Sequence, residues 1–576
     1  MAATFGPLGF LNFPQPVGHN LLIAIFFHVM THAILAAAMA NLILLSNKNA
    51  RLSKFVLLAI SAVVLLNLLY WLQGTGLQYI LLISILLLNH NETRKNTFLF
   101  TAALYVSMVF LIKPGLAIIC SLIWASYLFK RLLINKERRL FLHSVLFMVA
   151  SFFLIWLLLY RGIGSIPGYI FCSWEFMKGS SSAVTTEAQN NWILIALSFL
   201  MMCFAVFWVN EKKLYLVSGM LFFPFIVLFK YAYGRQDYAH VAQTVYFLLI
   251  YYFLIAVYGS LRKKIVSFSL FMLISFSLYC ANLYQANSYN LFFDVVSSLR
   301  NNHIRNISQV LGYKAYRKEL ELESNRNLDQ EKLSPQILER IKSSPVDVFP
   351  WNATLIAANG LNWRPRPILQ AYAAYTPWLD AFDANFFVSE GAPPFVLWVK
   401  DRHGQGATFD GIDGRYLLND EPKTTFNILN FYEPVSSDEK AVLLKRKEMP
   451  TFKGPDPLYS EMRGWGEWIN VPVGSNGMIK AKIRFERNWY GVMKRVLWKE
   501  NTVTIEYKLE DGSIITHRLA PDNAVSGVWA GHYLTALASP SFLNGETITQ
   551  MRFSHKDKNI FKPNFPIFWE EYKLNS

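Results

Sequence analysis

Between residues 21 and 285 the chain alternates long apolar runs with short polar loops, and beyond that point its pattern changes twice. The apolar runs predict helices near 21–46, 55–72, 76–90, 97–113, 115–133, 140–160, 192–209, 214–232, 243–260 and 265–285. Crossing roughly 30 Å of hydrocarbon takes about 20 residues, so these runs read as about ten membrane spans. The pair around Gln73-Gly74-Thr75-Gly76 reads as a tight helical hairpin. After Tyr284 the sequence is mixed and polar, with a 3.6-residue period to about Lys342. Ser334-Pro335 and Thr376-Pro377 open helices, each with a hydroxyl at the N-cap and Pro in the first turn. Strand-like runs at 346–349, 368–372, 395–399 and 426–431 alternate with them, which predicts an α/β domain over 286–455. From 456 the period becomes two. Ile479/Ala481/Ile483/Phe485 and Val503/Ile505/Tyr507/Leu509 alternate with polar residues, and Asn476-Gly477 and Asp511-Gly512 supply hairpin turns. The expected architecture is a polytopic α-helical membrane domain (1–285), an extracytoplasmic α/β domain, and a C-terminal β-sandwich (456–576).

Charge refines this picture. The formal net charge of the 576 residues is +16, but residues 1–285 hold 20 Lys+Arg against 6 Asp+Glu, and the rest hold 35 against 33. The excess lies in loop clusters: Lys48/Arg51/Lys54, Arg94/Lys95, Lys130/Arg131/Lys136/Arg138/Arg139, Lys212/Lys213 and Arg262/Lys263/Lys264. These occupy every second loop, as the positive-inside rule requires of a multi-pass protein. The basic loops are therefore read as cytoplasmic, with the chain after 285 outside a bacterial-type inner (plasma) membrane. Nucleic-acid binding needs a concentrated basic face on the soluble part, and the second half has none. Cys120, Cys172, Cys203 and Cys280 all lie in the first half, so neither a disulfide framework nor a zinc site is expected in the second, and no metal is expected. Residues 1–20 carry no Lys or Arg and contain the turns Gly6-Pro7-Leu8-Gly9 and Pro14-Gln15-Pro16. They read as a connection between spans, so a further helix upstream of Met1 is expected.

Candidate chemistry gathers on the non-basic side. Lys113-Pro114-Gly115 interrupts an otherwise apolar run from Thr97 to Phe129. An ammonium there either snorkels or meets an anion such as a phosphate. Residues 229–240 concentrate Lys230, Arg235, Asp237 and His240 between two apolar spans. The two cations suit a lipid phosphate or pyrophosphate, and Asp237 and His240 are the nearby acid/base candidates; the alternative is a solvated loop with an Arg–Asp pair. In the long loop 161–191, Ile166 to Lys178 reads as an amphipathic interfacial segment. It is either a passive anchor or a lid, with Glu175 and Glu187 as its carboxylates. Arg364 and Arg366, each before Pro, project from an extended segment. They meet either an anionic ligand or Asp380 and Asp383. Trp465, Trp468, Trp489 and Trp529 are glycan platforms or core residues.

The first half resembles the C-type (GT-C) superfamily of membrane glycosyltransferases. Gly6-Pro7-Leu8-Gly9 is similar to the Pro-Pro-Leu-like turn ahead of the family's second helix, with Phe5 and Gly6 in place of the usual His and Pro. Lys113-Pro114-Gly115 is similar to a Lys-Gly/Pro step that ends a helix at the outer face and is implicated in lipid-phosphate binding. The resemblance implies a polyprenyl-phosphate sugar as donor substrate and an envelope glycan or lipid as acceptor. Lys113, Lys230, Arg235, Glu175, Arg364 and Arg366 are then the substrate-binding candidates, and Asp237 and His240 the catalytic ones. One departure matters. The family's catalytic carboxylate lies in the first outer loop, whereas this chain has no Asp or Glu before Glu92. It is therefore truncated, an inactive relative, or dependent on Asp237. The competing expectation is a non-catalytic membrane protein that binds lipid-linked glycans during polysaccharide export or assembly.

Overall fold

The computed structural model describes residues 5–13, 15–46, 74–184, 212–235, 237–259, 265–274, 308–400, 409–474, 477–500, 502–535, 545–557 and 559–575, with scattered positions at 59–72, 263 and 537. The chain divides into two compact units: residues 4–165 with 188–321, and residues 1–3 and 166–187 with 322–576. The helices before residue 260 are α1 (Asn20–Ser46), α2 (Gln78–Thr93), α3 (Asn96–Ile112), α4 (Pro114–Leu133), α5 (Arg138–Tyr160), α6 (Ile166–Ala183), α7 (Lys212–Arg235) and α8 (Tyr238–Tyr258). Among the described residues, five helices are long and apolar enough to cross a membrane, and α3 is shorter but equally apolar. The expected helix at 192–209 lies outside the described residues, as does most of 55–72; helix continues over Ile265–Ile274 of the expected 265–285.

Local chemistry sets the helix ends. Pro114 lacks the N–H that would continue α3, so the chain breaks at an extended Lys113 (φ −150°) and restarts with Pro at N1. Arg94 and Arg161 stop α2 and α5 in left-handed conformations. Packing among apolar helices gains specificity from a few polar contacts. Asn41 donates to Asn89 (2.6 Å) and Asn89 to the Ala38 carbonyl (2.8 Å), while Phe27 lies against Tyr79, so α1 and α2 run parallel. Ser107 reaches the Met148 carbonyl between α3 and α5 (2.7 Å), and Ser218 meets Tyr251 between α7 and α8 (2.7 Å). At one pole Glu137 takes both Arg131 and Arg94, the latter at 3.7 Å. Two of the basic clusters read from the sequence thus share a pole.

In the other unit, α9 (Pro335–Ile341), α10 (Thr354–Asn359), α11 (Pro377–Val388) and α12 (Pro422–Phe431) accompany a sheet of β1 (Val346–Phe349), β2 (Phe395–Val399), β3 (Tyr432–Ser437) and β4 (Ala441–Arg446). Its order is β1-β2-β4-β3, with β1 parallel to β2 and the remaining pairs antiparallel. Two predicted strands differ. Residues 426–431 lie in α12, because the buried Asp380 carboxylate accepts the Lys423 and Thr424 N–H groups and caps that helix from another element. Residues 368–372 form no strand. Pro365 and Pro367 remove ladder donors, and the Ile368 N–H and Leu369 carbonyl bond to Asp383 and Arg366 side chains instead. Thr376 caps α11 as expected, whereas Ser334 makes no cap bond and gives its own N–H to Asp438 (2.8 Å).

The remaining strands are β5 (Phe452–Gly464), β6 (Ile469–Asn470), β7 (Gly477–Ile483), β8 (Val503–Leu509), β9 (Ile514–Leu519), β10 (Val528–Ala530), β11 (His532–Tyr533), β12 (Glu546–His555) and β13 (Asn564–Leu574). They form two antiparallel sheets ordered β10-β7-β13-β5 and β11-β12-β8-β9, with β6 on β12. The predicted alternation holds in β8, where Val503, Ile505, Tyr507 and Leu509 are buried. Gly512 at φ +86° turns the β8–β9 hairpin while Asp511 accepts the Ser513 N–H; Asn476 lies outside the described residues. Ile479, Ala481, Ile567, Met551 and Phe553 share one core with Trp398, Val442 and Leu444 of the mixed sheet. The expected boundary at 455/456 falls within β5.

α6 also belongs to this unit. Phe171 meets Trp378 edge-on at 4.7 Å, Phe176 packs on Tyr375 at 5.0 Å, and Arg495 and Arg518 donate to the Lys178 and Ala183 carbonyls. A Cβ at Gly179 would fall 2.8 Å from the Tyr375 carbonyl oxygen and 2.9 Å from Thr376 Cγ2. Gly179→Val is therefore expected to cost about 1–3 kcal/mol by overpacking. Limited proteolysis of the full chain should show faster cleavage around residues 160–184.

Candidate functional site

Breaking α3 at Pro114 leaves its last carbonyls without intrahelical partners, and the N-terminal turn supplies them. The Gly6 N–H donates to Ile112 O and the Leu8 N–H to Leu111 O, each at 2.9 Å. The Lys113 ammonium lies 5.5 Å from the centre of the Phe5 ring, within cation–π range. Two short motifs that are more than 100 residues apart in sequence are thus folded onto one another. Asn12 donates to the Gly74 carbonyl (3.3 Å), and His28 Nε2 donates to the Leu11 carbonyl (2.6 Å). Gly76 (φ +82°) completes the cluster, since a Cβ there would sit 2.7 Å from Leu116 Cδ2 on α4.

The turn between α7 and α8 is a second polar cluster. Asp237 is the N-cap of α8. Its Oδ1 accepts the His240 backbone N–H (3.0 Å) and lies 2.6 Å from His240 Nδ1, while its Oδ2 accepts Arg235 Nε (2.7 Å). Burial alone would raise the Asp237 pKa, but the His240 and Arg235 interactions outweigh it and hold the carboxyl below its ordinary value. The expected acid/base pair is therefore in contact, with Asp237 held as a carboxylate. Lys230 lies one and a half turns earlier on α7, half-buried.

Helix direction relates the two clusters. At the ends of α2 and α8, Tyr258 donates to Glu92 and Asn91 donates to Tyr258 (3.3 Å). The beginnings of both helices therefore point to the opposite pole, about 24 and 32 Å away at 1.5 Å per residue. The Gly74–Gly76 turn with Lys113 lies at the start of α2, and Asp237 lies at the start of α8. Lys113, Arg235, Asp237 and His240 share this pole, away from the Arg94–Glu137–Arg131 cluster.

The other three candidates belong to the second unit. Glu175 is buried on α6 with Lys178 at 3.2 Å. Arg364 is exposed and reaches the Gly391 carbonyl (3.4 Å). Arg366 is fully enclosed: it pairs with Asp347 (3.2 Å) and Asp383 (3.3 Å) and donates to the Val348, Pro350 and Leu369 carbonyls. Its burial beside Asp347 and Asp383 closes the guanidinium to a ligand from solvent. Of the four tryptophans, Trp529 is buried, Trp465 packs among Phe485, Phe561 and Phe565, and Trp468 lies under Arg552 (4.4 Å). Trp489 is 79% exposed. A cleft of about 370 Å³ beside β5 and β13 is lined by Leu458, Tyr459, Lys482, Phe568 and Glu570.

Two features escaped the sequence reading. On α1, His28 and His32 stack at 6.2 Å while Thr31 bonds to Tyr105 OH (3.0 Å). Their i, i+3, i+4 spacing in an apolar span is a readable signal of a functional face. The second is Glu421, fully buried, with neither carboxyl oxygen hydrogen-bonded among the described residues. Burial raises its pKa well above normal, and the adjacent Asp383 carboxyl is pushed up to about 8 by burial. An acidic residue before Pro422 reads as an ordinary helix start, so no local signal marked it.

No protein-family model matches the chain, and no curated protein does. Among solved structures, a single-particle cryo-EM structure of arabinosyltransferase EmbB from Mycobacterium smegmatis matches over 97% of this chain and 59% of that one, at 11% identity and a TM-score of 0.23. The chain spans about three fifths of that protein's length. A likeness at this level transfers neither residue roles nor chemistry.

Proposed function

We propose that this chain is a membrane glycosyltransferase-like protein that grips a polyprenyl-phosphate sugar at the pole of Lys113 and Arg235, on the outer face of the membrane. The observation that carries this reading is the meeting of the Gly6–Leu8 turn with the Lys113-Pro114 break, at the same pole as Arg235. Lys113, Lys230 and Arg235 supply positive charge to a lipid phosphate, where Arg offers a bidentate fork and Lys a point charge. During transfer a base would take the proton of the acceptor hydroxyl while these cations stabilise the departing phosphate. Asp237 and His240 are the candidates for that base. The acceptor would be an envelope glycan or lipid held by the second unit, with exposed Arg364 as an anion contact.

A second reading is favoured by one observation. Both Asp237 oxygens are occupied, by Arg235 and by His240, which suits a protein that holds a lipid-linked sugar without transferring it. One experiment addresses both. The full chain in lipid nanodiscs is titrated with polyprenyl phosphate, then supplied with labelled polyprenyl-phosphate sugar. Lys113→Ala, Lys230→Ala and Arg235→Ala are each expected to weaken binding about tenfold, the loss of one charge-assisted contact. Binding with transfer supports the enzyme; binding without transfer supports the second reading. Absence of binding by wild type contradicts both.

A further inference from the structure

Helix α13 (Trp489–Leu497) is built inside out. Trp489, Val492, Met493, Val496 and Leu497 recur at i, i+3, i+4, i+7 and i+8, the spacing of an apolar stripe. On a helix packed against a globular core that stripe faces inward. Here all five are exposed, between 48% and 79%. The side toward the protein is instead polar and glycine-lined. Gly491 lies against the Ile560 backbone with no room for a Cβ. Lys494 pairs with Asp557 (2.5 Å) and Arg495 with Asp522 (2.8 Å), while Asn488 caps the helix by accepting the Gly491 N–H (2.9 Å). These contacts fix the helix with its stripe directed away from the sheets.

The stripe has a neighbour of the same character. Arg495 also donates to the Lys178 carbonyl on α6 (3.0 Å). α6 exposes Ile170, Phe171 and Trp174, and Phe171 meets Trp378 edge-on, while Trp378 stacks on Phe382 (5.2 Å). Trp378 and Phe382 are themselves about 40% exposed. One surface of this unit therefore presents several large apolar and aromatic side chains, more than soluble surfaces ordinarily leave in contiguous patches.

The chain itself says what covers it. α5 is 23 residues long and ends at Tyr160, and α6 begins at Ile166. The five residues between them extend at most about 18 Å, which tethers the start of α6 by a short link to the end of an apolar span. Tryptophan and tyrosine mixed with aliphatic residues is the composition of a helix lying in the headgroup layer. We propose that α13 and α6 form an amphipathic foot by which the 322–576 unit rests on the lipid surface. The foot inserts the α13 stripe and the α6 aromatics into the boundary between headgroups and acyl chains. The acceptor-binding surface proposed for this unit would thereby be held at a fixed height above the bilayer.

The test uses nitroxide labels on single cysteines at Val492, Met493 or Val496 in the full chain, with the native cysteines replaced, in phosphatidylcholine/phosphatidylglycerol nanodiscs. Thr549, exposed on β12, provides the aqueous control. The three foot labels are expected to favour oxygen over a water-soluble nickel chelate about fivefold relative to the control, consistent with insertion about 5–10 Å deep. Repetition with phosphatidylcholine alone measures the share contributed by anionic lipid, and the preference for oxygen should persist. Equal access to both reagents, as at the control, would overturn the proposal, because the stripe would then face water. Protection from both reagents would also overturn it, since a protein surface would then be the cover.

Discussion

Arg366→Ala is expected to leave the 322–576 unit unfolded or severely destabilised. Arg366 is wholly enclosed and is the cation shared by Asp347 and Asp383, and it also donates to three backbone carbonyls. Removing one partner from a buried charge network leaves the others uncompensated and costs about 3–5 kcal/mol, a large part of a domain's stability. The loss falls on β1, whose Asp347 and Val348 it ties to the Ile368 segment and to α11. Thermal unfolding of the full chain should show one transition strongly lowered, and Asp347→Asn should restore part of it in the double variant. If Arg366→Ala instead folded like wild type and lost only affinity for an anionic lipid, the residue would be a ligand contact and this assignment would fail.

Glu421→Gln should stabilise the protein increasingly as pH rises. Asp383 and Glu421 lie with Asp347 around one guanidinium, and three carboxyls facing one cation in a dry interior cannot all ionise. Burial raises both pKa values, that of Asp383 to about 8 from an ordinary 3.8. The folded state therefore keeps protons that the unfolded chain has released. Stability is fully present below the unfolded pKa and is lost as pH climbs through the folded one. An amide cannot ionise. The variant should match wild type near pH 4 and exceed it by on the order of 2 kcal/mol at pH 8. Chemical unfolding across that range measures the difference; a gap independent of pH would show that Glu421 does not titrate.

Patterns with a short period were legible in the sequence. The apolar runs gave the helices of the first unit to within a few residues wherever the structure describes them. The alternation at 503–509 gave β8, and Asp511-Gly512 gave its hairpin. Contacts between distant segments were not legible. Residues 426–431 carry a strand-like composition, yet Asp380, more than 40 residues away, caps them into a helix. Arg366 reads as an extended, available cation, and its burial depends on Asp347 and Asp383 arriving from β1 and α11. The Lys113 junction was visible as a motif, but its contact with Phe5, Gly6 and Leu8 required the fold. α13 was missed because its apolar stripe is indistinguishable in sequence from one that faces a core.

The central claim is that the Lys113 end and the α7–α8 turn lie at one pole, opposite the Arg94–Glu137 cluster, and that this pole faces the outside. Single cysteines replacing Val17, Asp237 and Ile134, in a background without native cysteines, test it with a membrane-impermeant maleimide on intact cells. The account predicts modification at positions 17 and 237 without permeabilisation, and at 134 only after it. Modification of 237 together with 134, and apart from 17, would contradict it.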